Sequence, residues 1–193
     1  MLPDTPITTA RLLLRALARA DIGTRYLSWM QNPQVIRYLE SRFQRFDVDK
    51  LVQFVESMNT NPDELFFGIF IVENGRHIGN IRLGTINRQH RHAPIGLLIG
   101  ERDCWGQGYA AEAIAAVAAY AFDRIALEKV FAGCYAPNEG SRRAFLKAGF
   151  TEEARLPGQW LCEGQRVDHV QLGLLREVHR RFRSLDGHEA LDA

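Results

Sequence analysis

A chain of 193 residues is the right size for one globular domain, and its 46% apolar residues are sufficient to build a core. Lysine and arginine total 24 and aspartate and glutamate total 23, so the formal net charge of +1 gives no support to nucleic-acid binding. The three cysteines lack C-x-x-C spacing and the six histidines form no recognised ligand set, so neither disulfides nor a metal is predicted.

The amino terminus, MLPDTPITTA, has neither the charged region nor the apolar region of a secretory signal. No stretch of the sequence approaches the ~18 consecutive apolar residues that a membrane span needs. The sequence therefore predicts a cytoplasmic protein without a membrane partner.

Two helices follow a first strand in the amino-terminal third of the chain. Residues 11–17 are an apolar run of strand length. Asp21 is the predicted N-cap of a helix that ends near Asn32, because a residue that precedes proline disfavours the helical conformation. Asp47 is the predicted N-cap of a second, amphipathic helix, with apolar residues at positions 48, 51, 52 and 55.

The remaining chain alternates between strands and helices. Strands are predicted at residues 66–72, 78–86, 95–99 and 130–135, with a turn at 73–75. Helices are predicted from the alanine-rich segment to Phe122 and at 138–148, and a hairpin at 159–175. This order predicts one α+β domain over residues 1–176, followed by a loose basic and polar tail over 177–193.

The segment IGERDCWGQGYAAE, residues 99–112, has the clearest functional pattern. A buried strand ends, a turn with Gly106 and Gly108 follows, and a long helix begins. The first amides of a helix lack intrahelical acceptors and lie at its positive end, so the amides up to Ala110 could bind a pyrophosphate. The segment matches neither the P-loop nor the dinucleotide fingerprint, and a glycine turn that only begins a packed helix is the alternative.

This segment resembles the acyl-CoA loop of the GNAT N-acetyltransferase superfamily, whose pattern is Gln/Arg-x-x-Gly-x-Gly/Ala. Tryptophan replaces the first Gln or Arg here, as in the Rim-type subgroup of ribosomal-protein N-terminal acetyltransferases. The resemblance implies a GNAT fold, in which helices flank both faces of a mixed, mostly antiparallel sheet that splays between two core strands. It also implies acetyl-CoA as cosubstrate, held by Trp105, Gly106, Gln107, Gly108, Tyr109 and Ala110.

Residues 138–150, NEGSRRAFLKAGF, resemble the later coenzyme-contacting helix of the same superfamily. The resemblance implies that Asn138 contacts the pantetheine arm and that Phe145 also lies at the coenzyme. Many members carry at the Phe145 position a tyrosine that protonates the departing thiolate, which phenylalanine cannot do. Rim-type enzymes assign this role to a serine one turn earlier, which implies Ser141 as the acid; a helix-capping hydroxyl is the alternative.

The GNAT resemblance also implies where the thioester lies. In this fold the sheet opens between the strands at residues 95–99 and 130–135, where pantetheine would use the free backbone groups of Leu98, Ile99 and Gly100. The amine would attack the thioester directly, with a backbone amide near Ile99 facing the oxyanion.

A base must deprotonate the attacking amine, because free alkylamines are mostly protonated near neutrality. Glu101 directly follows the core strand and is retained as a catalytic candidate. Glu40, before the second helix, and His90, in a polar loop, are the other two candidates for the base. A solvated surface role is the alternative for each of these residues.

The stretch YLESRF, residues 38–43, lies where this fold builds its acceptor wall. Arg42 could hold an anion, Glu40 could attract an ammonium group, and Tyr38 could stack on a ring; an anchored charged loop is the alternative. Asn80 and His90 complete the predicted acceptor residues.

Three functions follow from these patterns. The favoured acceptor is a small-molecule amine, such as a nucleotide-linked amino sugar, because YLESRF, HIGNIRLG and IGLLIG together resemble acetyltransferases found with surface-polysaccharide synthesis. A Rim-like acetyltransferase of a protein N-terminus is the second hypothesis, and a non-catalytic acyl-CoA sensor is the third. A homodimer is compatible with the sequence.

Overall fold

A computed structural model describes residues 6–180, in which eight strands form one mixed sheet with helices on both faces. The strands are β1 (Ile7–Thr8), β2 (Leu12–Arg15), β3 (Glu64–Ile71), β4 (His77–Gly84), β5 (His92–Ile99), β6 (Lys129–Tyr135), β7 (Thr151–Cys162) and β8 (Gln165–Leu175). The helices are α1 (Thr24–Gln31), α2 (Pro33–Ile36), α3 (Val48–Thr60), α4 (Tyr109–Asp123) and α5 (Glu139–Lys147). The strand order is β1-β2-β3-β4-β5-β6-β8-β7, and the β5–β6 pair alone is parallel among these strands, which confirms the predicted α+β class.

Two apolar clusters lie on opposite faces of the sheet. The first buries one face of α4 against the central strands, with Phe67 of β3 and Ile114 of α4 completely inaccessible to solvent. The alanines of α4 allow this helix to approach the sheet closely. The second cluster joins α1 and α3 to the other face through Trp29, Leu51 and Phe66. The helical side chains thus bury both faces of the amino-terminal half of the sheet.

The sheet opens between β5 and β6. Their parallel pairing covers only His92–Pro94 on one strand and Lys129–Phe131 on the other. Beyond these residues β5 stays paired with β4 as far as Ile99, whereas β6 stays paired with β8 as far as Tyr135. The carboxyl-terminal part of β5 therefore has one free edge, as the predicted splayed sheet requires.

The structure corrects the start of the first helix. Asp21 lies in a short 3-10 turn, and α1 begins three residues later, at Thr24. The Asp21 carboxylate accepts hydrogen bonds from Arg15 at 2.7 and 2.8 Å and from the backbone of Ala18, so it is not available to cap α1. By contrast, Asp47 is confirmed as the N-cap of α3, since its carboxylate accepts from the Lys50 amide at 2.8 Å.

The domain continues beyond the predicted boundary at residue 176. Residues 176–180 are helical, and Val178 packs against the first apolar cluster. The Arg176 guanidinium also lies 3.5 Å from Glu128. Residues 177–180 of the predicted loose tail therefore continue this helix, and the remaining part of the predicted tail, 181–193, lies outside the described residues.

Replacement of Phe67 by alanine is expected to lower the free energy of unfolding by ~3–5 kcal/mol, because it removes a fully buried ring between the sheet and α4. Urea unfolding followed by circular dichroism measures this change. Phe43→Ala is the matched control, since Phe43 is 72% exposed and its loss should change stability by less than about 0.5 kcal/mol. Equal effects of the two variants would contradict the placement of Phe67 in the core.

Candidate active site

A groove of about 870 Å³ runs along the free edge of β5 and between α4 and α5. The carboxyl-terminal half of β5, the turn before α4, the first turn of α4, one face of α5, and α2 with the residues directly after it form the walls of the groove. The predicted site residues among its lining are Tyr38, Leu98, Ile99, Trp105, Gly106, Gly108, Tyr109, Ala110, Asn138 and Ser141. The structure thus places both sequence motifs on a single groove.

The hydrogen-bond register of β5 decides which backbone groups face this groove. The Gly100 amide donates to Ile78 at 2.9 Å, which makes the adjacent Gly79–Ile99 pair a non-hydrogen-bonded pair. By the alternation of an antiparallel ladder, the backbone groups of Leu97 and Ile99 point to the free edge and those of Leu98 point to β4.

The prediction that Gly100 offers a free amide is therefore wrong, because Ile78 already accepts it. Leu97 replaces Leu98 as a source of free backbone groups on this edge.

The turn before α4 has the geometry of an anion cradle. Gly106 and Gly108 have φ values of 73° and 83°, which side chains rarely adopt, and Gly108 is the N-cap of α4. A Cβ at Gly108 would lie 3.4 Å from an Arg11 guanidinium nitrogen and 3.7 Å from the Lys147 ammonium. The space above Gly108 is thus bounded by helix amides and two cations, which fits a diphosphate.

Trp105 links this turn to β5. Its indole Nε1 donates to the Ile99 carbonyl at 2.8 Å, so the carbonyl at the end of the free edge is satisfied by a side chain. The Ile99 amide remains directed toward the gap by the register described above. Gln107 contributes through its backbone, because its carbonyl accepts from Arg11 at 3.0 Å. Gln107 is not among the residues that line the groove.

The second motif places a hydroxyl group on the opposite wall. Asn138 caps α5 by accepting from the Ser141 amide at 3.3 Å, so Ser141 stands in the first turn of the helix and lines the groove. Among the described residues the Ser141 hydroxyl has no hydrogen-bond partner. Phe145 is 2% exposed and packs edge-on against Phe150, which corrects its predicted contact with the coenzyme: the ring belongs to the core.

An aromatic and charged cluster extends from one end of the groove. Tyr38 lines the groove, donates to the Pro137 carbonyl at 3.3 Å and lies 5.9 Å from the Tyr135 ring, centroid to centroid. Tyr135 stacks on Trp160 at 5.6 Å and donates its hydroxyl hydrogen to Glu40. Burial raises the pKa of Tyr135, and its hydrogen bond to Glu40 adds to this effect, so the phenol stays protonated.

Arg42 is a structural part of this cluster. It donates to the Tyr135 hydroxyl oxygen at 2.8 Å, to the Leu161 carbonyl at 3.2 Å and to the Leu39 carbonyl at 2.9 Å. Its side chain is only 16% exposed, whereas the Glu40 side chain is 62% exposed. The accessible charge on this wall is therefore the carboxylate of Glu40, although Arg42 at 3.6 Å partly offsets it.

The predicted catalytic and acceptor residues that are not among the groove lining are Glu40, Arg42, Asn80, His90 and Glu101. Glu101 forms an ion pair with Arg76 and accepts from the Trp29 indole at 2.9 Å, so its carboxylate is engaged by neighbours in the fold. Asn80 is 3% exposed, and its side-chain oxygen lies 2.9 Å from His77 Nε2. His90 lies on an exposed loop.

Sequence patterns missed Tyr135 and Trp160. Neither belongs to a motif, and the signal that could have found Tyr135 is its position three residues before Asn138, at the end of the strand that borders the gap. Cys134, on the same strand, is buried, and burial raises the pKa of its thiol to about 11. A protonated thiol is a poor nucleophile, which agrees with direct transfer.

The sequence profile described as "Acetyltransferase (GNAT) domain" matches residues 11–151. The chain belongs to the GNAT acetyltransferase family. This enzyme is 29% identical over 153 residues to the uncharacterized N-acetyltransferase YoaA of Bacillus subtilis (strain 168), which covers 78% of the chain and 85% of YoaA. It is 26% identical over 174 residues to the spermidine N(1)-acetyltransferase of Vibrio cholerae, which covers 88% of the chain and 96% of the relative.

A solved structure supports the fold of this GNAT N-acetyltransferase. The spermidine N-acetyltransferase from Vibrio cholerae, in complex with CoA and spermine, superposes with a TM-score of 0.77 at 23% identity, covering 89% of this chain and 99% of that one. GNAT acetyltransferases use acetyl-CoA as acyl donor, which agrees with the helix start and the two cations at Gly108. Membership of the Rim-type subgroup stays a prediction.

Two further properties concern residues 6–180 alone. Within this range no group of three or more His, Cys, Asp or Glu residues is arranged to hold a metal ion. None of the helices in the same range is long and apolar enough to cross a membrane.

Gly108→Val should weaken CoA binding by at least about tenfold, because valine strains a left-handed position and its side chain enters the cradle. Isothermal titration calorimetry with CoA measures the affinity. Gly75→Val is the matched control. Gly75 also has a left-handed backbone, with φ 67°, but it lies in the β3–β4 turn with open space around it, so valine there strains the backbone without entering the cradle. Unchanged affinity in Gly108→Val would remove this turn from the coenzyme site.

Proposed function

We propose that this enzyme transfers the acetyl group of acetyl-CoA to a primary amine of a cationic small molecule by direct attack on the thioester. The observation that carries the proposal is the joining of four features: a free strand edge, an anion cradle and Ser141 line one groove, and the aromatic cluster with the exposed Glu40 carboxylate adjoins this groove through Tyr38. Each feature corresponds to one part of such a reaction.

The donor would lie along the free edge of β5. Its diphosphate would meet the amides from Gly106 to Ala110, and the pantetheine amides would pair with the outward groups of Leu97 and Ile99. Acetyl-CoA supplies an activated acyl group with a good leaving thiolate. Holding the donor on two rigid elements fixes the position of its carbonyl carbon, so that attack by a bound amine becomes effectively unimolecular.

Two proton transfers must accompany the substitution. Ser141 is the proposed acid at the thiolate, because it lines the groove and its hydroxyl has no partner among the described residues. Glu40 is the proposed base, acting directly or through a water molecule, because it is the exposed carboxylate of the cluster that begins at Tyr38. Glu101 is a weaker candidate for the base, since Arg76 and Trp29 already engage its carboxylate.

The charges of the acceptor wall favour a cationic acceptor over an anionic one. The Arg42 guanidinium already donates hydrogen bonds to Tyr135 and to two backbone carbonyls, and Arg37 pairs with Glu163 at 2.6 Å. A nucleotide-linked amino sugar would need free cations for its phosphates, whereas an ammonium group needs a carboxylate and aromatic faces. The similarity to spermidine N(1)-acetyltransferases supports the same class, and we propose a di- or polyamine as the acceptor.

Ser141→Ala should lower kcat by about 100-fold or less while CoA affinity stays within about twofold, because an acid acts in the transition state and the thiolate is a fair leaving group. Thiol release at saturating acceptor gives kcat, and calorimetry gives the CoA affinity. Ser57→Ala is the control, a serine on α3 whose hydroxyl bonds the Phe54 carbonyl. Wild-type turnover of Ser141→Ala would assign the acid role elsewhere, including to water.

Glu40→Gln should lower kcat for a polyamine and raise its KM by about fivefold, since the amide keeps an acceptor for Tyr135 but loses both the base and the charge. Glu163→Gln, an equally exposed carboxylate paired with Arg37, should change this KM less. The measurement is thiol release with spermidine, an amino-sugar nucleotide and a peptide with a free N-terminus. Faster turnover of the nucleotide or the peptide than of spermidine would replace the polyamine proposal by the corresponding alternative. CoA binding without thiol release from any amine would instead indicate an acyl-CoA sensor.

A further inference from the structure

One ion pair joins the amino-terminal strand to the anion cradle. Arg11, directly before β2, places Nε at 2.7 Å and NH2 at 2.6 Å from the Glu112 carboxylate on α4. The Arg11 backbone amide donates to the other oxygen of this carboxylate at 3.0 Å, and the Thr9 hydroxyl donates to it at 2.6 Å. Glu112 therefore accepts from both sides of the chain turn that precedes β2.

Arg11 reaches the glycine turn as well as the helix. Its NH1 donates to the Gln107 carbonyl at 3.0 Å, and its guanidinium carbon lies 4.5 Å from the centre of the Tyr109 ring. The three nitrogens of one planar group thus bind the carbonyl between the two glycines and a carboxylate in the first turn of α4. With the Gln107 carbonyl directed to Arg11, the flanking amides are left to face the groove.

The ion pair between Arg11 and Glu112 also changes the electrostatic potential at the cradle. Burial tends to raise the pKa of Glu112, but hydrogen bonds from Thr9 and Arg11 outweigh it, so the pKa lies below its usual value and the group is ionised. A carboxylate one turn from the cradle would repel a diphosphate if nothing neutralised it. Arg11 supplies the compensating charge at van der Waals distance from the space above Gly108.

We propose that Arg11 is a positioning residue that holds the Gly106–Gly108 turn in its coenzyme-binding conformation through Glu112 and Gln107. This inference rests on the proposed function, since it presumes that the turn binds the coenzyme diphosphate. It assigns to a residue of the first strand a share of the affinity for acetyl-CoA and no share of the chemical step. The turn contains two left-handed glycines, so without the contacts of Arg11 many alternative conformations are open to it.

Arg15 provides a closely matched control. It lies four residues further along the same strand region, donates to the Asp21 carboxylate at 2.7 and 2.8 Å and has its guanidinium carbon 3.9 Å from the centre of the Phe70 ring. The side chains of Arg15 and Asp21 are 35% and 15% exposed, compared with 46% and 18% for Arg11 and Glu112. The two arginines thus form similar contacts, but only Arg11 contacts the glycine turn.

Arg11→Ala should weaken CoA binding about tenfold in calorimetry and raise the KM for acetyl-CoA correspondingly, while kcat at saturating acetyl-CoA stays unchanged. Arg15→Ala should leave the CoA affinity unchanged. Hydrogen exchange of the free protein should become faster at the amides of residues 106–110 in Arg11→Ala and not in Arg15→Ala. Arg11→Lys, which keeps the charge but cannot bridge both partners, should lie between Arg11→Ala and the wild type and serves if Arg11→Ala fails to fold.

The outcomes separate this inference from the proposed function. Failure of the wild-type protein to bind CoA would overturn the proposed function. Tight CoA binding by Arg11→Ala would overturn the role of Arg11 and leave that function intact. Weaker binding with unchanged exchange at residues 106–110 would show that Arg11 contacts the coenzyme itself and would overturn the positioning role. Equal losses of affinity in Arg11→Ala and Arg15→Ala would show a general effect of destabilising this strand region, which also contradicts the inference.

Discussion

The whole site depends on how short the parallel contact between β5 and β6 is. Three residue pairs hold the two strands together before they diverge, and the divergence leaves backbone groups of β5 without a strand partner. A buried free edge is costly unless another group satisfies it. Trp105 satisfies one carbonyl of this edge, and the rest faces the groove. The proposed binding surface therefore includes a strand edge that the fold itself leaves unpaired.

The helices α4 and α5 border the gap, and each has a well-defined amino-terminal end. Each begins at a residue that fixes the adjacent backbone: Gly108 through a left-handed conformation at α4, and Asn138 through a side-chain cap at α5. A helix start gives free amides and a defined direction for the next side chains. The amides before α4 and the hydroxyl of Ser141 thus come from rigid elements on opposite walls of one groove. Rigid placement of this kind is what a transfer between two bound molecules requires.

Features that depend on neighbouring residues in the chain could be predicted, and those that depend on distant partners could not. The cap at Asp47, the start of a helix at Asn138, the glycine turn and the hairpin turn after Cys162 are local, and their residues carry the signal. Asp21 fails as a cap because Arg15 takes its carboxylate, which no local pattern reveals. The prediction that Leu98 and Gly100 offer free backbone groups fails for a similar reason. The pairing of β5 with β4 decides which backbone groups of β5 point to the gap and which point to β4. A shift of this pairing by one residue exchanges the residues that face the gap with those that face β4.

The contact between Arg11 and Gln107 spans 96 positions of the chain. The Gly106–Gly108 turn consequently has its full set of contacts only when the amino-terminal strand lies beside α4. By thermodynamic linkage, a ligand that prefers the completed turn also favours the docked strand. Acetyl-CoA would thereby hold together two segments that lie about half a chain length apart, and cellular supply of the coenzyme would influence how long each copy of the enzyme stays folded.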